Sequence, residues 1–324
     1  MKRRAVVLGG AAATLLWREA SAQTRGGPPP RLGILRYGGP SSDETLEPFL
    51  AGMSALGYAE GKTISYDYRH ADNDGQRLAA LAAELAGTKP TIMMAFGGDI
   101  APYVRDAAKN LPIVFSVSAD PVKLGLVASL SRPQRNATGV TFLHDELGSK
   151  RLQLLKEAVP RISHVAFLWN PNHLDNELED TQGAAQQLGV RLLSLPVRTV
   201  DELAPALDKA TAAQVDSVYI VTSTLMINLM PRIVGYADER RLPLIGGWGA
   251  WASGGGLMSY GPDVNVMVRR TAAYVDRILK GAQPSELPVE RPTKFLLTIN
   301  LKAAKALGLI IPESFLIGAD QVMD

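Results

Sequence analysis

With 324 residues, 46% hydrophobic and 20% charged, the chain has room for two globular domains and is too apolar for extended disorder. It holds no cysteine, which excludes disulfides, a lipidated cysteine anchor, a thiolate nucleophile and cysteine-based metal sites. The formal net charge is +2, and no basic run follows the N-terminus, which argues against nucleic acid and anionic membrane as partners.

The first 22 residues read as a secretory signal peptide. "MKRR" is a basic start, "AVVLGGAAATLLW" is an apolar stretch of 13 residues, and "ASA" ends at Ala22 as a small-residue cleavage site. The stretch falls short of the ~20 residues that span a bilayer. The Arg3–Arg4 pair leaves twin-arginine export open beside the Sec route. Removing Lys2, Arg3, Arg4 and Arg18 together with Glu19 leaves 30 basic and 31 acidic residues, a net charge of −1.

"RLGILRY" (31–37) reads as a strand ending at Gly-Gly-Pro, and apolar residues at helical spacing run from Glu44 to Leu56, with Pro48 in the first turn. "GKTISYDYR" is a second strand, and Asp74 caps a helix over "DGQRLAALAAELA". "TIMMAFGG" is a third strand, after which Asp99 caps "IAPYVRDAAKN". "LPIVFSV" is a fourth strand, Asp120 and Pro121 start a helix over "VKLGLVASL", and "ATGVTF" is a fifth strand.

The pattern then restarts. "HVAFLWN" echoes "RLGILRY", and "LPLIGGW" echoes "LPIVFSV". Leu32 maps to Val165, Leu56 to Leu188, Ile92 to Val218 and Leu111 to Leu242, at offsets of 133, 132, 126 and 131. Strand–helix alternation implies parallel sheets with right-handed crossovers and helices on both faces. The duplication predicts an α/β fold of two similar doubly wound parallel-sheet lobes. The tail 257–324 adds a strand, an amphipathic helix, a strand and a last helix over "LKAAKALGLIIP", enough to patch both lobes.

Such sheets bind ligands at the carboxyl ends of their strands. In the first half those ends hold Tyr37 with Ser41, Ser42 and Asp43, then Gly98 and Asp99, then Ser118 and Asp120, with Ser116 just inside. In the second half they hold Trp169, Asn170 and Asn176, then Thr222 and Ser223, then Trp248. Aromatic faces stack on flat ligands, helix N-termini suit a carboxylate, and aspartates suit an ammonium. An aromatic or large apolar amino acid, or a related aromatic acid, meets all three. A purely structural reading stands beside this one: Asp99 and Asp120 also serve as helix caps, Trp169 as a packing residue, and Ser41 and Ser42 as loop solvation.

No G-x-S-x-G elbow, Walker motif or G-x-G-x-x-G is present, so no motif calls for a cofactor or a catalytic residue. His70, His144, His164 and His173 have no ligand-like spacing and read as surface or packing residues, with no metal site.

"DPVKLGLVASLSRPQRNATGV" and "PTKFLLTINLKAAKALGL" resemble the substrate-binding proteins of bacterial ABC importers, most closely the subfamily with tryptophan- and tyrosine-binding members. The resemblance implies a type I periplasmic binding fold with three crossings, near 139–146, 256–260 and 295–299. That places 31–143 plus 259–296 in lobe 1 and 144–258 plus 297–324 in lobe 2. It also implies a monomer in the periplasm, closing on a small-molecule ligand and delivering it to an ABC permease of the inner membrane. The family loop after the third strand often reads Gly-Thr-Pro. Here Gly98 and Asp99 replace the threonine and proline, which favours a cationic ligand group if Asp99 faces the cleft. An exported two-lobed α/β enzyme and a ligand-sensing module for a membrane receptor remain as alternatives.

Overall fold

The computed structural model describes residues 27–142 and 147–324. The first 26 residues, which include the expected signal peptide, and residues 143–146 of the expected linker, with His144, lie outside the described residues. Strands β1 (Arg31–Arg36), β2 (Ser65–His70), β3 (Ile92–Phe96), β4 (Ile113–Val117) and β5 (Ala137–Thr141) form one parallel sheet in the order β2-β1-β3-β4-β5. β6 (His164–Trp169), β7 (Arg191–Pro196), β8 (Ser217–Ile220), β9 (Leu244–Gly246) and β10 (Met258–Pro262) repeat that order in a second sheet. There β11 (Phe295–Asn300) pairs antiparallel with β10, and β12 (Gln321–Met323) closes the edge.

The central strands explain why their sequence does not alternate. All five residues of β3 and of β4 are buried, because parallel strands covered by helices on both faces read as continuous apolar runs. The sequence repeat is a structural repeat, with one adjustment. Leu32 pairs with Ile92 and Val165 pairs with Ser217, so the counterpart of Ile92 in the second lobe is Ser217, one residue before Val218.

Two expected helices come out shorter. After Asp120 the chain makes turns: Leu124 N–H donates to the Asp120 carbonyl at 2.9 Å, and Gly125 at φ +66° ends the run. A left-handed glycine stops an α-helix where only one turn has formed. The helix over "LKAAKALGLIIP" covers only Leu301–Ala306.

The chain leaves the second sheet after Pro262 and places the helix Val264–Leu279 against the helix Glu47–Ala55 of the first lobe. It returns between Glu290, which bridges Val140 of β5, and Phe295 of β11. These changes of sheet fall at 262–264 and 290–295, where the resemblance implied 256–260 and 295–299. The chain completes a strand beside β9 before departing. One buried apolar cluster runs without a break from Leu35 and Phe115 of the first lobe to Leu168 and Ile220 of the second. The two lobes are therefore in contact, with the carboxyl ends of both sheets turned toward each other.

Candidate ligand-binding site

A cavity of about 80 Å³ lies between the strand ends. The first lobe supplies Arg36, Tyr37, Phe96, Ser116 and Phe142. The second supplies Thr224, Ile227, Asn228 and Trp248, and the helix Val264–Leu279 closes one side with Val264 and Val268.

Sheet register sets part of this wall. Leu35 is level with Ala95, and Phe96 is level with Ser116, so Arg36, Phe96 and Ser116 form one row across the strand ends. Phe96 is held from below by the edge of Phe49, ring centroids 5.4 Å apart. Trp248 meets Phe142 edge-to-face across the lobes at 5.8 Å and 89°. Tyr37 is buried, and burial first, then the carboxylates of Asp99 and Asp74, pushes its hydroxyl up to about 12, so it is neutral and able to donate.

Beside the cavity a polar clasp joins the lobes. Asp99 of the first lobe accepts from the backbone N–H of Thr224 and of Leu225, each at 3.3 Å, and from Asn170 Nδ2 at 3.3 Å. His173 of the second lobe puts Nδ1 3.4 Å from Asp99 Oδ1, an ion-pair contact, and Nε2 3.0 Å from Ser118 Oγ. Asp175 Oδ2 lies 3.8 Å from Nε2 on the other side. Burial alone would lower the His173 pKa, but Asp99, then Asp175 and Glu177, outweigh it and raise it. Burial would raise Asp99, and His173 and the donated N–H groups overcome that and lower it. Each charge stabilises the other in a dry interface.

The family model for ABC transporter substrate binding proteins matches residues 35–323. The chain belongs to that family. Among curated relatives, a tyrosine-binding protein of Clostridioides difficile (strain R20291) is 24% identical over 273 residues, covering 83% of this chain and 78% of that one. A conserved domain protein from Vibrio cholerae O1 biovar El Tor N16961 has a crystal structure with TM-score 0.83 at 27% identity, covering 91% of this chain and all of the other. The ABC domain in complex with L-Trp from Streptococcus pneumonia gives TM-score 0.82 at 24% identity over the same share of this chain. A ligand-free, open substrate binding protein with adhesive properties from Clostridium difficile gives 0.61 at 22% identity, with 91% of this chain covered.

For a substrate binding protein, the Ser118–His173–Asp99 line has a non-catalytic explanation, even though it follows the order of a hydrolase triad. Its members come from two lobes, and the His173 side chain is 1% exposed. Carboxylates face both ring nitrogens and raise the His173 pKa, which favours the imidazolium, a form whose Nε2 can only donate to Ser118 Oγ. A base that already holds its proton cannot activate a serine. The line is an inter-lobe contact, and the relatives of this substrate binding protein bind rather than transform.

The strand-end candidates separate into groups. Tyr37, Ser118 and Trp248 line the cavity. Asp99 and Asn170 sit in the clasp beside it. Asp99 does not cap the helix that follows it, Ala101–Ala107, whose N-cap is Ile100. It serves instead the first N–H groups of Thr224–Asn228 across the cleft, because that lobe brings bare donors against it. The ammonium argument built on Asp99 therefore loses its basis, since His173 and lobe-2 donors occupy the carboxylate.

Gly98 also faces the other lobe: a Cβ there would lie 2.6 Å from His173 Cε1. Thr222 Oγ1 accepts from Gly247 N–H at 3.1 Å, and Ser223 Oγ caps Thr224–Asn228 through Met226 N–H at 3.3 Å, so both brace lobe 2. Asp120 Oδ1 accepts from Val122 N–H at 2.8 Å in its own turn. Trp169 is away from the cavity, its Nε1 donating to Ser194 Oγ at 2.9 Å. Asn176 and Ser41 are exposed. Ser42 and Asp43 fall in the 3-10 turn Pro40–Leu46, and their side chains lie outside the described part of the structure.

Arg36, Phe96, Phe142 and Asn228 were missed by the sequence reading. Arg36 and Phe96 were hidden because they are the last residues of their strands rather than loop residues. Asn228 ends a five-residue helix with no motif around it. His173 was read as a lone histidine, although it stands in the loop directly after β6, where the strand-end rule already pointed.

Proposed function

We propose that this protein is an extracytoplasmic solute receptor of an ABC importer, capturing an aromatic or apolar amino acid, or a related aromatic acid, by closing two lobes around it. The observation that carries the reading is the cavity itself: aromatic walls from both lobes meet at the strand ends, and Trp248 touches Phe142 only when the lobes are together. A ligand touching both walls stabilises the closed state by its differential contacts, which is capture by population shift. The higher structural similarity to the L-Trp complex than to the ligand-free, open relative agrees with a closed arrangement here. The names of two relatives, the curated tyrosine-binding protein and the solved L-Trp complex, agree with the aromatic preference.

Delivery is to a permease, with the receptor acting as a monomer after cleavage of a signal peptide at Ala22. No helix among the described residues is long and apolar enough to cross a membrane. Calorimetry of the mature protein against the amino acids, aromatic acids, sugars and metal ions tests the ligand class. Micromolar or tighter binding of an aromatic or apolar acid is expected, and binding of sugars or metals alone would overturn it. Mass spectrometry of co-purified ligand and N-terminal sequencing of exported protein, expected to begin at Gln23, test the rest.

A further inference from the structure

Two polar atoms in the cavity wall are buried without a partner: Ser116 Oγ from β4 of the first lobe and Asn228 Nδ2 from the second. Ser116 is 2% exposed. A buried donor left unpaired is costly, and few such groups persist in folded proteins without a reason. Both atoms line the same cavity, and they come from opposite lobes. The carboxamide nitrogen only donates, and the serine hydroxyl donates or accepts. Their common complement is an oxygen acceptor.

The sheet register fixes which end of a ligand this is. Ser116 is two strands from Arg36 in the row Arg36–Phe96–Ser116, a separation of about 9.5 Å at the usual inter-strand spacing. The cationic guanidinium, whose Nη2 also donates to Thr45 Oγ1 at 2.7 Å, marks the end for a ligand carboxylate. Phe96 is the apolar middle. Ser116 and Asn228 are the far end, where an aromatic acid presents the edge of its ring.

We infer that Ser116 and Asn228 form a specificity site for a ring oxygen, one donor from each lobe, so that the protein selects hydroxylated aromatic acids over their unsubstituted counterparts. This rests on the aromatic-acid reading of the cavity proposed above. The ring oxygen bridges the lobes and so favours closure. A site built to hydrogen-bond a hydroxyl rejects the analogue lacking it, because its own polar groups are then buried unpaired.

The test measures affinity by calorimetry for two matched pairs, L-tyrosine with L-phenylalanine and 4-hydroxyphenylacetate with phenylacetate. The proteins are the wild type, Ser116→Ala and Asn228→Leu. The wild type is expected to favour the hydroxylated member of each pair by about tenfold or more. Each variant is expected to lose most of that preference, chiefly through weaker binding of the hydroxylated member. Equal binding within pairs by the wild type, or a preference intact in both variants, would overturn the inference. Binding of tryptophan with none of the four would overturn it and leave the aromatic-ligand reading standing. Failure of every amino acid and aromatic acid would remove that reading too.

Discussion

Asp99 of the first lobe and His173 of the second face each other across the cleft, Oδ1 to Nδ1 3.4 Å, with both side chains almost fully shielded from water. Neither is a wall of the cavity. They hold together the two surfaces that make it.

If the lobes close on ligand as proposed, that contact makes closure depend on pH. The raised pKa of His173 in the closed form means closing takes up protons relative to an open form in which the imidazole is solvated. The contribution is complete below the ordinary histidine value of about 6.5 and is lost as pH rises through the higher, closed-state value. Asp99 is shifted down, so its own contribution fades only when pH falls below the ordinary carboxylate range. Ligand affinity should therefore hold below about pH 6.5 and weaken as pH rises above it. His173→Gln should flatten the profile and weaken binding at the low end by about 1.5–3 kcal/mol, the worth of a hydrogen bond to a charged group. Calorimetry across that range decides it, and a profile equally steep in His173→Gln would refute the assignment.

Gly98 is required for the lobes to meet. An added Cβ would sit 2.6 Å from His173 Cε1 and 2.9 Å from Ala119 Cβ. Gly98→Ala should prop the cleft open and lower affinity at least tenfold, about 1.4 kcal/mol. The double variant with His173→Ala should recover part of the loss. Small-angle scattering with saturating ligand would show whether the single variant fails to compact.

Trp248 and Trp169 should behave oppositely. Trp248 forms cavity wall and touches Phe142, so Trp248→Ala should cost about 1–3 kcal/mol of binding, from lost ring contact and burial, and most of the ligand-induced fluorescence change. Trp169→Phe removes only the bond to Ser194 and should leave affinity unchanged. A Trp169→Phe variant that binds poorly would move the site toward the outer face of lobe 2.

Arg151 and Glu177 form a fully buried ion pair in lobe 2, with Tyr219 donating to Glu177 at 2.6 Å and Arg151 Nε donating to the Tyr260 carbonyl at 2.8 Å. Removing one charge strands the other, so Arg151→Met should cost about 3–5 kcal/mol of stability. Replacing both, Arg151→Met with Glu177→Leu, should restore much of it. Thermal melts of the two variants provide the comparison, and a double variant no better than the single would refute the account.

What the sequence determined by itself is the repeat. Apolar runs closed by Gly, Asp-Pro or Asn, spaced by amphipathic segments, fix two parallel sheets, and the strand order follows from short right-handed crossovers. Because ligands of such sheets sit at strand ends, Tyr37, Ser118 and Trp248 could be named before any coordinate. Local chemistry also fixed the Asp74 cap, whose side chain accepts from Gln76 N–H. Tertiary structure decided everything that depends on one lobe touching the other. Asp99 has the local pattern of a cap for its own helix, yet its carboxylate is spent on Thr224, Leu225 and His173, more than seventy residues away. Asn228 and Arg36 carry no local signal at all, because a cavity between two lobes is made of residues that are neighbours only in the tertiary structure. Spacing along a chain encodes which face a side chain takes on its own element, and it carries no record of what the other lobe brings against that face.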